Sequence, residues 1–298
     1  MRIKVVIENT SAQGLPTEHG LCLWIEARGR RFFLDLGQSA LFAENAARMG
    51  IEPRDAEFVV ISHGHYDHGG GIPTFLSLND SAPIYVHKKA FAGHFSIKDG
   101  ATKYIGLDQH LQGSGRITPT DGVQLISDGI TLFSGCKGSE YFSPANLRIL
   151  KSDNGQLVRD DFCHEQSLII QENGSNVRLA GCAHSGIINI IAKAEEIIGK
   201  PITHVVAGMH LAGVTDRSFI KGLAKALKSK NCICYTCHCT GAEAYSEMKS
   251  ILGPQSPISP PATLLTIFDC AEVSSPPGTS PCHLSHSLPS LSRKDLST

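Results

Sequence analysis

The sequence has no uninterrupted run of about 18 apolar residues, so no membrane-spanning helix is expected. Its first stretch, Met1 to Asn9, lacks the longer apolar core and small-residue cleavage site of a secretory leader. Basic residues are not in excess: the formal net charge is −1, which argues against a nucleic-acid partner. No internal repeat of solenoid length is visible. Cysteine, by contrast, is plentiful. Without a secretory route, its ten copies are expected to be reduced thiols of a cytoplasmic protein rather than a disulfide framework. With 298 residues, 41% apolar and 18% charged, most of the chain can bury one large α/β core. No oligomeric state is implied.

Strand-like runs at Ile3 to Ile7, Leu21 to Ile25, Phe32 to Leu34 and Phe58 to Ile61 precede a helix at Ile72 to Leu78. A further short helix is expected at Leu41 to Met49, ended by Gly50. From Lys88 to Glu165 the chain is rich in Gly, Asp and Ser with short strand-like pieces such as Val123 to Ile126, and long loops walling a pocket are expected there. Strands at Ser167 to Ile170, Val177 to Ala180, His204 to Ala207 and Cys232 to Tyr235 then alternate with helices at Ser185 to Ile198, Arg217 to Leu227 and Ala242 to Leu252. This alternation suggests two sheets covered by helices on their outer faces, within residues 1–268. Pro and Ser dominate beyond Pro254, and residues 269–298 are expected to be a disordered tail.

The strongest chemical signal is Ser62-His63-Gly64-His65-Tyr66-Asp67-His68-Gly69-Gly70-Gly71, directly after a buried strand. Three imidazoles and a carboxylate within six residues offer nitrogen and oxygen donors suited to a divalent ion. In extended chain His63 and His65 point the same way and can share one ion, while Asp67 and His68 lie past the turn and can serve a second. Three more histidines, His184, His210 and His238, each follow a later strand, where sites collect in α/β folds. His184 and His238 lead into helices with Ser185 and Thr240-Gly241 near their starts. If those helix starts face the metal, they suit a phosphate or carboxylate; plain capping uses the same residues.

The pattern His63-x-His65-x-Asp67-His68, followed by His184 and His238, resembles the metallo-beta-lactamase superfamily over roughly Met1 to Phe268. The resemblance implies an αββα sandwich with a one- or two-metal site at the edge between the sheets. By that analogy His63, His65 and His184 hold one ion and Asp67, His68 and His238 the other. The superfamily usually adds a bridging aspartate or cysteine on the loop between the last two ligand histidines; here that loop reads Gly208-Met209-His210-Leu211. His210 is therefore either an unusual ligand or a substrate contact. Glu18-His19-Gly20, Cys182-x-His184-Ser185-Gly186 with Asn189, and His238-Cys239-Thr240-Gly241 also resemble the subgroup named for 7,8-dihydropterin-6-methyl-4-(β-D-ribofuranosyl)-aminobenzene 5′-phosphate synthase. That family joins a dihydropterin diphosphate to a ribofuranosylaminobenzene phosphate and releases diphosphate.

The resemblance implies a phosphorylated small-molecule substrate and places Ser185, Asn189 and Thr240 beside it. Asp67, with His19 or Glu18, would move protons. Two reactions stay open: transfer with the ion acting on the leaving diphosphate, and hydrolysis of a phosphoester, ester or lactone by an activated water that Asp67 orients. A sensor that kept the fold without catalysis is the non-enzymatic reading. Zinc suits the donors best, with magnesium, manganese or iron as alternatives. Cys232, Cys234, Cys237 and Cys239 are weighed as a separate metal site and disfavoured, and His87, His94 and His110 are read as ordinary polar residues.

Overall fold

The computed structural model describes residues 1–11, 14–253, 258–259 and 265–266. The expected disordered tail at 269–298 lies outside them. In chain order the elements are β1 (Arg2–Ile7), β2 (Cys22–Ala27), β3 (Arg30–Leu34), α1 (Leu41–Arg48), β4 (Phe58–Val60), α2 (Tyr66–Gly69), α3 (Ile72–Leu78), β5 (Ile84–His87), β6 (His94–Lys98), β7 (Ala101–Tyr104), β8 (Ile117–Thr120), β9 (Val123–Ser127) and β10 (Ile130–Ser134). They continue with β11 (Ile149–Asp153), β12 (Gln156–Arg159), β13 (Gln166–Glu172), β14 (Ser175–Leu179), α4 (Ile187–Ile198), β15 (His204–Ala207), α5 (Arg217–Ser229), β16 (Ile233–Thr236), α6 (Ala242–Leu252), β17 (Ile258–Ser259) and β18 (Leu265–Thr266).

Successive residues of β3 show how the layers arise. Phe32 and Leu34 join a core that also holds Ile170, Leu179 and Val206 from the second half of the chain. Phe33, between them, faces the opposite way and packs with Phe42 of α1 and Phe75 of α3. This period of two gives one strand two buried faces. The first sheet runs β18-β1-β2-β3-β4-β5-β8 and the second β17-β16-β15-β14-β13-β10-β9. Their inner faces share one core, as in a sandwich. The outer face of the second sheet is covered by Ile187, Ile190 and Ile191 of α4, Leu223 and Leu227 of α5, and Met248 of α6. The expected two sheets with outer helices are present.

Residues 88–165 depart from expectation. The strand-like piece at Val123 to Ile126 is present as β9, but where long loops were expected β6, β7, β11 and β12 pair as a third sheet in the order β12-β11-β6-β7. Two tight turns build it. Asp99-Gly100 (φ 51° and 76°) closes β6 onto β7, and Asn154-Gly155 (φ 49° and 81°) closes β11 onto β12. Left-handed backbone at both central residues matches the twist of the flanking strands, and Asp-Gly and Asn-Gly adopt it at low cost. The expected pocket wall does exist, but strands make it.

Candidate metal centre

The strand order brings the histidine loops together. β14, β15 and β16 are parallel neighbours, so the loops after them, which carry His184, His210 and His238, leave the same edge of the second sheet side by side. The loop after β4, with His63 to His68, meets them from the first sheet. Ala183, His210 and His238 each hold φ near +48° at 48°, 47° and 48°, a left-handed backbone that costs free energy in non-glycine residues and collects at functional sites. Gly64 is needed for packing: a Cβ there would lie 2.3 Å from the Ala90 carbonyl oxygen.

His63, His65 and His184 are buried, and their rings lie 4.5 to 5.0 Å apart between centroids. The Nε2 atoms of all three are buried without a hydrogen-bond partner. Such atoms are costly unless something absent from the polypeptide completes them. In His63 and His184 the other ring nitrogen is held. His63 Nδ1 donates to Ser62 Oγ at 2.9 Å, and His184 Nδ1 donates to Asn146 Oδ1 at 2.9 Å. Donation from Nδ1 leaves the lone pair on Nε2, the tautomer a metal ligand needs. Burial, reinforced by the neighbouring imidazoles, pushes the pKa of all three rings well below the ordinary histidine value, so they are neutral.

The second set is built the same way. His68 Nδ1 meets Asp35 Oδ2 at 2.6 Å, and Asp35 also accepts the Ser62 N–H and hydroxyl, both at 2.7 Å. His238 Nδ1 donates to Asn9 Oδ1 at 2.8 Å. Asp67 Oδ2 lies 3.2 Å from His238 Nε2, 3.7 Å from His68 Nε2 and 3.2 Å from His19 Nε2. Burial alone would raise the Asp67 carboxyl, but His68, His19 and His238 hold it well below the carboxylate range. Burial works against a charge on His68, yet Asp35 and Asp67 outweigh it and lift that ring to about 9. A cation on its Nε2 would replace the proton. Donor sets of this chemistry fit a divalent metal ion.

The remaining expected site residues divide. His19 reaches Asp67 and lies tilted 4.8 Å from the His238 ring, while remaining half exposed and lining the pocket. His210 lies against His184, with centroids 4.3 Å apart, and faces the same pocket. Among the described residues His210 joins none of the close donor groups. Glu18 is turned away: its carboxylate accepts the backbone N–H of Gln38 at 2.9 Å and of Ser39 at 3.2 Å. Asn189 braces α4 by donating to the carbonyls of Glu140 and Ser185. Thr240 Oγ1 accepts the Met209 N–H and pairs with Thr236 Oγ1.

At the helix starts, where substrate binding and plain capping were both open, the nearest N–H groups are bound internally. The N–H groups of His184 and Ser185 donate to the buried Glu165 carboxylate at 2.6 and 2.8 Å, and the His238 N–H donates to Glu8. The protein's own carboxylates therefore already occupy these three N–H groups. Positive charge comes from elsewhere. The central pocket, of about 390 Å³, is lined by His19, His65, Asp67, His184, His210 and His238 together with Lys98 and Lys103 of the β6–β7 hairpin. Among the described lining residues Asp67 is the one carboxylate.

Sequence reading passed over Asp35, Asn9, Asn146, Lys98 and Lys103, and it underrated His94. His94 is buried, with Nδ1 at 2.7 Å from Asp160 Oδ2, and His164 Nε2 lies 3.4 Å from the same oxygen. His164 Nδ1 accepts the Gly64 N–H at 2.9 Å, so this pair and Asp160 brace the loop that carries His63 and His65. His87 faces Asp121, and His110 is exposed. Among the described residues no donor group unites Cys232, Cys234, Cys237 and Cys239.

Residues 15–142 match the profile of the metallo-beta-lactamase superfamily. Two proteins of Methanocaldococcus jannaschii are similar over most of their length. One, an uncharacterized protein, is 26% identical over 257 residues, covering 84% of this chain and 94% of its own. The other, 7,8-dihydropterin-6-methyl-4-(beta-D-ribofuranosyl)-aminobenzene-5′-phosphate synthase, is 26% identical over 268 residues, covering 82% and 89%. A solved structure described as a metal-dependent hydrolase of the beta-lactamase superfamily superposes with a TM-score of 0.74 at 27% identity, covering 90% of this chain and all of that one. This chain has the metallo-beta-lactamase fold, and its residues 15–142 are similar to that superfamily's profile.

Proposed function

We propose that the protein is a metal-dependent enzyme acting on a phosphate-bearing small molecule, with transfer of the dihydropterin-synthase type as its reaction. One observation carries the reading: His65 and His184, whose buried Nε2 atoms lack partners, line a cavity whose wall bears Lys98 and Lys103, and His63, with a third such nitrogen, packs against both. His63, His65 and His184 would hold one ion, and Asp67, His68 and His238 the second. A divalent ion there supplies Lewis acidity to an oxygen of the leaving group. Lys98 and Lys103 bind the anionic substituent and orient it. His19, half exposed and 3.2 Å from Asp67, passes a proton between the pocket and solvent. His210 contacts the substrate beside His184. The similarity to the archaeal synthase over most of both chains supports the choice of reaction.

Hydrolysis of a phosphoester, ester or lactone is the second reading, favoured by the similarity to a structure described as a metal-dependent hydrolase. In it Asp67 orients the attacking water. Incubation of the metal-loaded protein with a dihydropterin diphosphate and the aminobenzene riboside phosphate separates the two. Diphosphate release that needs both substrates supports transfer. Release without the acceptor, or turnover of phosphodiesters and lactones alone, supports hydrolysis.

A further inference from the structure

Two residues before His184, in the loop after β14, Cys182 is buried at 3% exposure. Its Sγ lies 3.2 Å from His68 Nε2. The same sulfur belongs to two donor groups, one with His63 and His184 and one with His68 and His238, and within each group the donor atoms lie within 4.8 Å of one another. Cys182 is the one residue common to those two groups among the described residues. A tetrahedral ion bonded to nitrogen at about 2.0 Å and sulfur at about 2.3 Å separates those ligands by roughly 3.5 Å, close to the spacing observed.

At Gly208 the opposite loop has no room for such a group. A Cβ on Gly208 would lie 2.5 Å from Cys239 Sγ and 3.0 Å from the Gly181 carbonyl oxygen, so no side chain fits at that position. Asp67 lies to one side, grouped with His19 and His238 and not with His63 or His184.

We propose that Cys182 is a metal ligand and that its thiolate bridges two ions, one on the His63–His184 side and one on the His68–His238 side. This rests on the metal-centre reading above. On binding, the Sγ–H bond breaks, Sγ bonds to the ions, and the proton leaves to solvent. A sulfur bridge makes the centre select zinc, iron or cobalt over magnesium.

The test is cobalt(II) reconstitution of the full chain under anaerobic reducing conditions, read by near-ultraviolet sulfur-to-cobalt charge transfer and by bound cobalt per chain. Wild type, Cys182→Ala, Cys182→Ser and Cys239→Ala are compared, with circular dichroism confirming that each is folded. The expected result is a charge-transfer band in wild type and Cys239→Ala. The band is lost in both Cys182 variants, with cobalt affinity falling by at least about tenfold. A band that persists in Cys182→Ala, or that disappears in Cys239→Ala instead, overturns the assignment. Cobalt bound by wild type without the band overturns the thiolate and leaves the histidine centre standing. No bound cobalt overturns both.

Discussion

Asn146 grips His184 at both ends: its Oδ1 accepts the Nδ1 proton at 2.9 Å, and its Nδ2 donates to the His184 carbonyl at 2.8 Å. The ring can neither flip nor exchange tautomers without breaking a buried hydrogen bond, so Nε2 stays bare and faces His63 and His65. Asn9 treats His238 alike, accepting from Nδ1 and donating to its carbonyl. Replacing Asn146 with Ala should lower metal affinity by about 10- to 100-fold. It should also cost about 1–3 kcal/mol of stability for the groups left unpaired. Competition with a chelating dye and chemical denaturation measure the two effects separately.

The metal-free protein should lose stability as pH falls below about 6.5. His63, His65 and His184 are held neutral by burial, with folded values well below the ordinary one, so the unfolded chain binds more protons in that window. His68 acts in the opposite sense. Its folded value of about 9 gives stability that is complete below about 6.5 and lost as pH rises through 9. Denaturant midpoints of chelated protein from pH 5 to 9.5 should peak between these limbs, and Asp35→Asn should flatten the alkaline one.

Lys98 and Lys103 stand on the exposed turn side of the β6–β7 hairpin. Changing either to Ala should raise KM for a phosphate-bearing substrate by roughly fivefold or less, since exposed charges contribute up to about 1 kcal/mol. The kcat should change little, because uniform binding is what is lost. The effect should shrink in high salt. Steady-state kinetics at two ionic strengths checks all three.

Asp160 should matter more than a surface acid. Its carboxylate holds His94 and His164 behind His65, and Asp160→Ala should cost about 2 kcal/mol through the buried imidazoles left without an acceptor. Metal affinity should fall with it, because Gly64 and His65 lose their brace. Thermal denaturation with and without metal measures both.

The alternation of buried strands with helices in the second half was legible, and α6 matches its expected span of Ala242 to Leu252. The histidine cluster was legible because its donors crowd into six residues after an apolar strand. Other features were not, because their signals are pairwise. Asn9 and His238 are 229 residues apart, and nothing local to either marks the contact. The third sheet could have been found from Asp99-Gly100 and Asn154-Gly155, both hairpin dipeptides, but its outer strands β7 and β12 are short and exposed and so carry little hydrophobic period. Cys182 was quoted as part of a motif, yet its placement between two histidine groups depends on how the β4 and β14 loops meet. Glu18 misled because an acid beside His19 suggests proton transfer, whereas its side chain turns back to the Gln38 and Ser39 amides.

The most direct test is the metal content of the purified protein, wild type against His65→Ala, by elemental analysis after exhaustive dialysis. Convergent imidazoles predict at least one tightly held divalent ion per wild-type chain, with content falling by about one equivalent in the folded variant. Wild type with no metal above background, or a variant with unchanged content, would contradict the account.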